Sequence, residues 1–153
     1  MSWLECKVPP PVVALIAAVG MWGAARAAAP LDAPQGLMIA GALAIAAAGV
    51  ALAGAGVLFF RRAGANIDPH RIDRGDALVT GGPYRFTRNP MYLGITLVLC
   101  AYAVYLSRPI ELVGPVAFAA YLTRFQIAPE ERAMRAKFGA AYAQYAHATR
   151  RWI

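Results

Sequence analysis

The stretch APQGLMIAGALAIAAAGVALAGAGVLFF, residues 33–60, contains no aspartate, glutamate, lysine or arginine. A transmembrane helix needs about 20 mostly apolar residues, so this stretch is long enough to cross a bilayer. Residues 8–25 and 89–107 also lack these charges, and residues 109–128 form a fourth apolar stretch with one charged residue near each end. We therefore predict four spans.

The composition of the whole chain indicates the same environment. Hydrophobic residues make up 59% of the 153 residues, charged residues make up 15%, and the mean hydropathy is positive, which excludes a water-soluble domain of this size. We predict one all-α, polytopic membrane domain, residues 1–153, with a central loop at 61–89 and a C-terminal amphipathic interfacial helix at 129–153. The transmembrane helices are expected at about residues 9–29, 36–60, 90–107 and 109–128.

The arginines predict the orientation, because Lys and Arg near span ends are retained on the cytoplasmic side. The loop from Arg61 to Arg88 contains six arginines, and the tail after Pro129 contains four arginines and one lysine. We place this loop and both termini in the cytoplasm, and we expect the membrane to be a bacterial inner membrane. The net charge of +7 then reflects topology and attraction to the lipid bilayer, with no nucleic-acid partner.

The first apolar run allows an alternative, a cleaved secretory signal. It ends in Ala-Arg-Ala-Ala-Ala-Pro, residues 25–30, which has the small residues of a cleavage site. Arg26 within this motif, and Glu5 before the only early lysine, argue against cleavage. The central loop and the tail share one side of the membrane in either case.

Several features favour structural roles. Cys6, Cys100, His70 and His147 are isolated in the sequence, so we expect neither a disulfide nor a metal site. A row of small residues on the second span is expected to pack against a neighbouring span, and it would serve a dimer equally well, so the oligomeric state stays open. The row consists of Gly36, Ala40, Ala44, Ala48 and Gly56.

Two polar segments flank the third and fourth spans on the cytoplasmic side. The first reads GPYRFTRNPMYLG, residues 82–94, where Gly-Pro favours a turn and Pro90 suits the first turn of a helix. The second is Glu130-Glu131, two acids that are costly at a bilayer edge unless they are solvated or paired. Headgroup anchoring explains the first segment, and a favourable helix N-terminus explains the second, so neither alone establishes a site.

Together these segments resemble the isoprenylcysteine carboxyl methyltransferase family, which is similar in turn to the membrane phospholipid methyltransferases. The resemblance covers roughly residues 64–153, and position 89 is Asn where many members have His. It rests on an ordered set: Leu78-Val79-Thr80, Gly82-Pro83-Tyr84-Arg85, Arg88 to Gly94, Glu130-Glu131, and Phe138-Gly139 with Tyr142, Tyr145 and a closing Arg-Trp-Ile.

This resemblance implies an S-adenosylmethionine pocket that is formed by the central loop, the start of span three and the tail, and that is open to lipid. Arg88 and Glu131 are the expected catalytic residues. The expected cofactor-binding residues are Leu78, Val79, Gly82, Tyr84, Arg85, Arg88, Asn89, Pro90, Tyr92, Glu130 and Glu131.

The cofactor carries a sulfonium, an ammonium, a carboxylate and an adenine. We expect Glu131 to pair with the ammonium, an arginine with the carboxylate, and Tyr84 or Tyr92 with the ring. The acceptor is expected to be lipidic or small and apolar, and a carboxylate acceptor, giving O-methylation, is one option.

Two other functions remain open. One is a membrane reductase with a nicotinamide cofactor, since sterol reductases share a related C-terminal architecture. The other is a non-catalytic membrane protein whose charges anchor its helices.

Overall fold

A computed structural model describes residues 5–64 and 78–153, and this part of the chain is helical and contains no strand. The predicted all-α fold class is confirmed. Residues 65–77 of the predicted loop, with His70, lie outside the described residues. The helices are α1 (Pro10–Ala24), α2 (Gln35–Arg62), α3 (Pro90–Leu106), α4 (Val113–Leu122) and α5 (Ala128–Ala148), with 3₁₀ turns at Gly82–Arg85 and Pro109–Leu112 and a π-helical segment, Thr123–Ile127, that joins α4 to α5.

Prolines mark the starts of α1 and α3, where a missing backbone N–H costs nothing, and a third proline lies where the π-helical segment passes into α5. Pro10 opens α1, Pro90 opens α3, and Pro129 lies in the first turn of α5. The bounds of α2 and α3 agree closely with the predicted spans. The predicted interfacial helix differs in shape, since α5 is kinked at Gly139, where φ is 52°, and ends at Ala148.

The helix α2 is the described helix that is both long and apolar enough to cross a membrane. It is 28 residues long, and only 11% of its most apolar window is buried. Leu37, Leu43 and Val50 are each about two-thirds exposed, as expected for side chains in contact with lipid tails. Since α1 and α3 are shorter, with 15 and 17 residues, the four-span topology stays a prediction.

A small hydrophobic core joins α1, α3, α4 and the π-helical segment. Phe118 and Leu122 of α4 lie at its centre and are almost completely buried. At one end of the bundle, the Leu31 N–H donates to the Ser107 carbonyl oxygen at 2.7 Å, which ties the link between α1 and α2 to the end of α3. The remaining core residues are Met21, Leu99, Ala103 and Ile127.

The crossing of α2 and α3 is close because both helices present glycine. A Cβ at Gly94 would lie 2.5 Å from the Gly49 carbonyl oxygen and 2.7 Å from Ala53 Cβ. The row predicted for this packing was wrong except at Gly56, since the buried positions of α2 are Ala42, Gly49 and Gly56. Almost every face of α2 is apolar or small, so composition did not distinguish the packed face. The predicted row members that are exposed are Gly36, Ala40, Ala44 and Ala48.

Replacing Gly94 by alanine is expected to destabilise the protein by roughly 1–3 kcal/mol, because the new methyl group has no space between the two backbones. Thermal unfolding in detergent measures the effect. Gly54→Ala is the matched control, since Gly54 lies on α2 with nothing within 4 Å of the position that the new methyl group would take, and it should be neutral or slightly stabilising. Equal destabilisation of both variants would contradict a close crossing at Gly94.

Candidate active site

The entrance to α3 is tied to the C-terminal end of the chain. Asn89, the residue before Pro90, makes no side-chain cap bond. Instead, its side-chain nitrogen, Nδ2, donates a hydrogen bond to the Arg151 carbonyl oxygen at 2.9 Å. The Thr87 hydroxyl donates to the same oxygen at 3.2 Å. Two side chains of the predicted motif therefore hold the terminal backbone in place.

Arg88 lies at the centre of this contact, and 12% of its side chain is exposed. Its backbone N–H donates to the Arg150 carbonyl oxygen at 2.9 Å. Its Nη1 donates to the carbonyl oxygens of Ala146, at 3.0 Å, and Thr149. Its Nη2 donates to Glu131 Oε1 at 2.7 Å. One side chain thus joins the central loop to both ends of α5.

Glu131 is buried and is bound by two arginines. Oε1 accepts hydrogen bonds from Arg88 Nη2 at 2.7 Å and Arg151 Nε at 3.0 Å, and Oε2 accepts one from Arg151 Nη2 at 2.6 Å. Burial raises the pKa of Glu131, but the hydrogen bonds and charges of the two guanidinium groups outweigh it and hold the pKa below its usual value. The Arg88–Glu131–Arg151 cluster therefore carries one positive charge in excess.

The neighbouring acid, Glu130, has a different environment. Its Oε1 accepts hydrogen bonds from the Tyr92 hydroxyl at 2.7 Å and from the Gln126 amide at 2.6 Å. Burial raises the pKa of Glu130, the charge of Glu131 adds to the rise, and the two hydrogen bonds oppose it. Both donors are neutral. Within residues 5–64 and 78–153, no cation makes a hydrogen bond or ion pair with this carboxyl group.

The π-helical segment brings Gln126 to this site and also anchors the N-terminal segment. The Phe125 carbonyl oxygen accepts a hydrogen bond from the Cys6 N–H at 3.0 Å. Glu5 forms ion pairs with Arg124 at 3.3 Å and Arg132 at 2.7 Å. The beginning of the described chain therefore lies at the same end of the bundle as the twin acids.

The turn before α3 fixes Tyr84 between α2 and α5. Gly82 has a φ of 57°, and a Cβ there would overlap the ring of Phe59, so glycine is required. The Tyr84 hydroxyl donates a long hydrogen bond, 3.4 Å, to the Gly56 carbonyl oxygen, and the Tyr145 hydroxyl donates to the Tyr84 carbonyl oxygen at 2.8 Å. Burial raises the pKa of both tyrosines, that of Tyr145 to about 12.

Most of the predicted site residues lie together at this end of the bundle. The 2.7 Å contact between Arg88 and Glu131 joins the entrance of α3 to the acids that follow α4. Arg85 is exposed and makes no hydrogen bond or ion pair with the described residues, while Leu78 and Val79 are partly buried at the border of the undescribed segment. The grouped residues are Gly82, Tyr84, Arg88, Asn89, Pro90, Tyr92, Glu130 and Glu131.

Comparison with known families adds an independent observation. The sequence profile described as phospholipid methyltransferase matches residues 37–141, which include both Arg88 and Glu131. The chain belongs to the phospholipid methyltransferase family. These are membrane methyltransferases related to the isoprenylcysteine carboxyl methyltransferases, so the family resemblance predicted from the sequence is confirmed.

A protein from Haemophilus influenzae, described as an uncharacterized protein, is 36% identical to this methyltransferase-family chain over 63 residues. The aligned residues amount to 41% of the chain and to the full length of the relative. The description of this relative names no activity and no acceptor.

Three polar side chains of this site were not predicted. Gln126 is a lone amide in an apolar run, four residues before Glu130, a spacing that places the two on one helix face. Thr87 lies inside the quoted motif but was not assigned a role. Arg151 begins the closing Arg-Trp-Ile of the resemblance but was not assigned a role, and it lies beyond residues 37–141, which the family profile matches. The sequence signal for Arg151 was indirect: two adjacent acids at a bilayer edge need solvent or a partner, and the chain closes with two arginines.

Glu131→Gln is expected to destabilise the protein at neutral pH by roughly 3–5 kcal/mol, because it leaves two arginines without their shared counterion. The pKa of Glu131 is lowered in the folded protein, so its contribution is present above the ordinary carboxyl pKa and is lost as the pH falls through the lowered value. Unfolding measured from pH 3 to pH 8 should therefore show a smaller loss of stability in acid for the variant than for the wild type.

Glu5→Gln is the matched control, since Glu5 also pairs with two arginines, but these are more than half exposed. It should cost no more than about 1 kcal/mol. The same cost and the same pH dependence in both variants would contradict a special role for the buried cluster.

Proposed function

We propose that the protein is an integral membrane, S-adenosylmethionine-dependent methyltransferase that acts on a lipidic or small apolar acceptor. The contact between Arg88 and Glu131 carries the proposal, because it joins the family's loop motif to its paired acids at one end of the bundle. A headgroup anchor would not require a buried, three-part ion cluster. Family membership makes methyl transfer the best-supported reaction.

The side chains present fit the charged groups of the cofactor's methionine moiety. Arg88 Nε is buried and has no hydrogen-bond acceptor among the residues described, and a carboxylate oxygen would satisfy it. The excess positive charge of the Arg88–Glu131–Arg151 cluster favours the same anion. Glu130 suits the ammonium, because its described partners are the neutral Tyr92 and Gln126.

The two acids therefore take different parts. Glu131 is occupied by two guanidinium groups, so we assign it to holding Arg88 in position rather than to direct contact with the ligand. Glu130 takes the direct contact, supported by Tyr92. We assign the apolar wall for the adenine to Leu78, Val79 and the turn that contains Tyr84.

When bound, the cofactor supplies an electrophilic methyl group on a sulfonium sulfur. The protein's contribution is to orient the two ligands in line and to exclude water, since methyl displacement depends strongly on alignment. A carboxylate acceptor needs no base. An amine acceptor must arrive deprotonated or lose its proton during the reaction.

We place the site at the cytoplasmic surface of a bacterial inner membrane, in a four-span topology. Exposed apolar side chains on α1 and α2 support the membrane environment, because they would contact lipid tails. Leu15 and Ile16 of α1 are 65% and 64% exposed. An acceptor with an acyl or prenyl chain would then reach the site laterally from the bilayer.

Binding and transfer measurements test the proposal. Purified protein in lipid nanodiscs should bind S-adenosylmethionine and should not bind reduced nicotinamide cofactors. Arg88→Ala should weaken binding by about tenfold or more, since a charged hydrogen bond contributes roughly 1.5–3 kcal/mol. Labelled methyl groups offered with a total lipid and peptide extract should appear in a product whose identification names the acceptor.

Arg135→Ala is the control, because Arg135 is exposed on α5 and lies outside the cluster. It should bind S-adenosylmethionine as the wild type does. Glu130→Gln provides a second site variant if Arg88→Ala fails to fold, and its affinity should also fall. Preferential binding of the nicotinamide cofactor, or equal affinity in wild type and site variants, would refute the proposal.

A further inference from the structure

The last residues of the chain are held as part of the site. The helix α5 gives way to extended backbone at Thr149, where φ is −125° and ψ is 132°. The carbonyl oxygens of Arg150 and Arg151 then accept hydrogen bonds from the segment that opens α3, and Trp152 Nε1 donates to Thr123 Oγ1 at 3.1 Å. The backbone of Arg151 is therefore fixed on both sides.

The Arg151 side chain uses only part of its hydrogen-bonding capacity on Glu131. Its Nε and Nη2 bind the carboxylate, whereas its Nη1 has no hydrogen-bond partner in the described ranges. Its side chain is 38% exposed, compared with 12% for Arg88. Arg151 Nη1, on the more exposed of the two side chains, and the buried Arg88 Nε are therefore both donors without an acceptor in the described ranges.

The charge of the cluster depends on Arg151. An Arg88–Glu131 pair alone would be neutral, and it would attract an anion only weakly. The second guanidinium group adds the positive charge that remains in excess, and its planar donors match a carboxylate. Arg151 is also outside residues 37–141, so the family match assigns it no role.

We propose that Arg151 determines the specificity of this site for a carboxylate-bearing ligand. It neutralises Glu131 together with Arg88, and it provides the positive charge and the free donor that the carboxylate of the cofactor's methionine moiety contacts. This inference rests on the proposed function. It predicts that the tail contributes selectivity between ligands rather than stability alone.

Two ligands that differ only in this carboxylate test the inference. The affinities of the full-length protein in nanodiscs are measured for S-adenosylmethionine and for its decarboxylated analogue. The wild type should prefer the carboxylate-bearing ligand by about tenfold or more. Arg151→Gln should lose most of this preference by weakening S-adenosylmethionine binding, with the affinity for the analogue within about twofold of the wild type. Arg151→Lys should restore part of the preference.

Arg150→Gln is the matched control, because Arg150 is the adjacent exposed arginine and contributes to the contact through its backbone. It removes the same charge and should keep the wild-type preference. An equal loss of affinity for both ligands in Arg151→Gln would overturn the inference by showing a purely structural role. Equal affinities in the wild type would overturn it whether or not the variants fold. Failure of the wild type to bind either ligand would refute the proposed function itself.

Discussion

The buried carboxylate of Glu131 is the constraint on which the functional end of the molecule depends. A charge taken out of water is costly unless it is paired, and the two arginines that pair with it come from distant parts of the chain. Arg88 precedes α3, and Arg151 follows α5. Satisfying one acid therefore fixes the entrance of one helix and the end of another. The cluster therefore connects the entrance of α3 to the C-terminal residues, and it is also a source of positive potential.

A second, apolar constraint determines the position of the Arg88–Glu131–Arg151 cluster. In lipid, helix association depends on close packing, and Gly49 and Gly94 let α2 and α3 approach until their backbones touch. The same approach brings the end of α2 to the turn before α3, where Phe59 packs at Gly82 and the Gly56 carbonyl oxygen meets the Tyr84 hydroxyl. Packing within the apolar region thus determines where the loop motif can meet the acids.

The parts of this structure that were predictable from the sequence are those encoded locally. Prolines and charge-free runs located the helices, and the ordered motifs located the residues that meet near Glu131. The packed face of α2 was not predictable, because alanine and glycine on nearly every face remove the contrast that periodicity requires. The ion pair with Arg151 was also missed, because the tail contains four arginines and nothing in their spacing distinguishes the one that meets Glu131. The π-helical segment that brings Gln126 to Glu130 was also not predictable, because its residues, Thr123–Ile127, show no pattern that distinguishes a π-helix from an α-helix.

Adjacent acids with opposite pKa shifts follow from helix geometry. Successive residues of an α-helix point about 100° apart, so Glu130 and Glu131 face different neighbours although they are consecutive. One meets guanidinium groups and the other meets a hydroxyl and an amide. A simple phosphate would be attracted by the cluster and repelled by Glu130, and a simple amine would experience the reverse. A ligand with both an ammonium and a carboxylate gains from both, which favours an amino-acid moiety over either single charge.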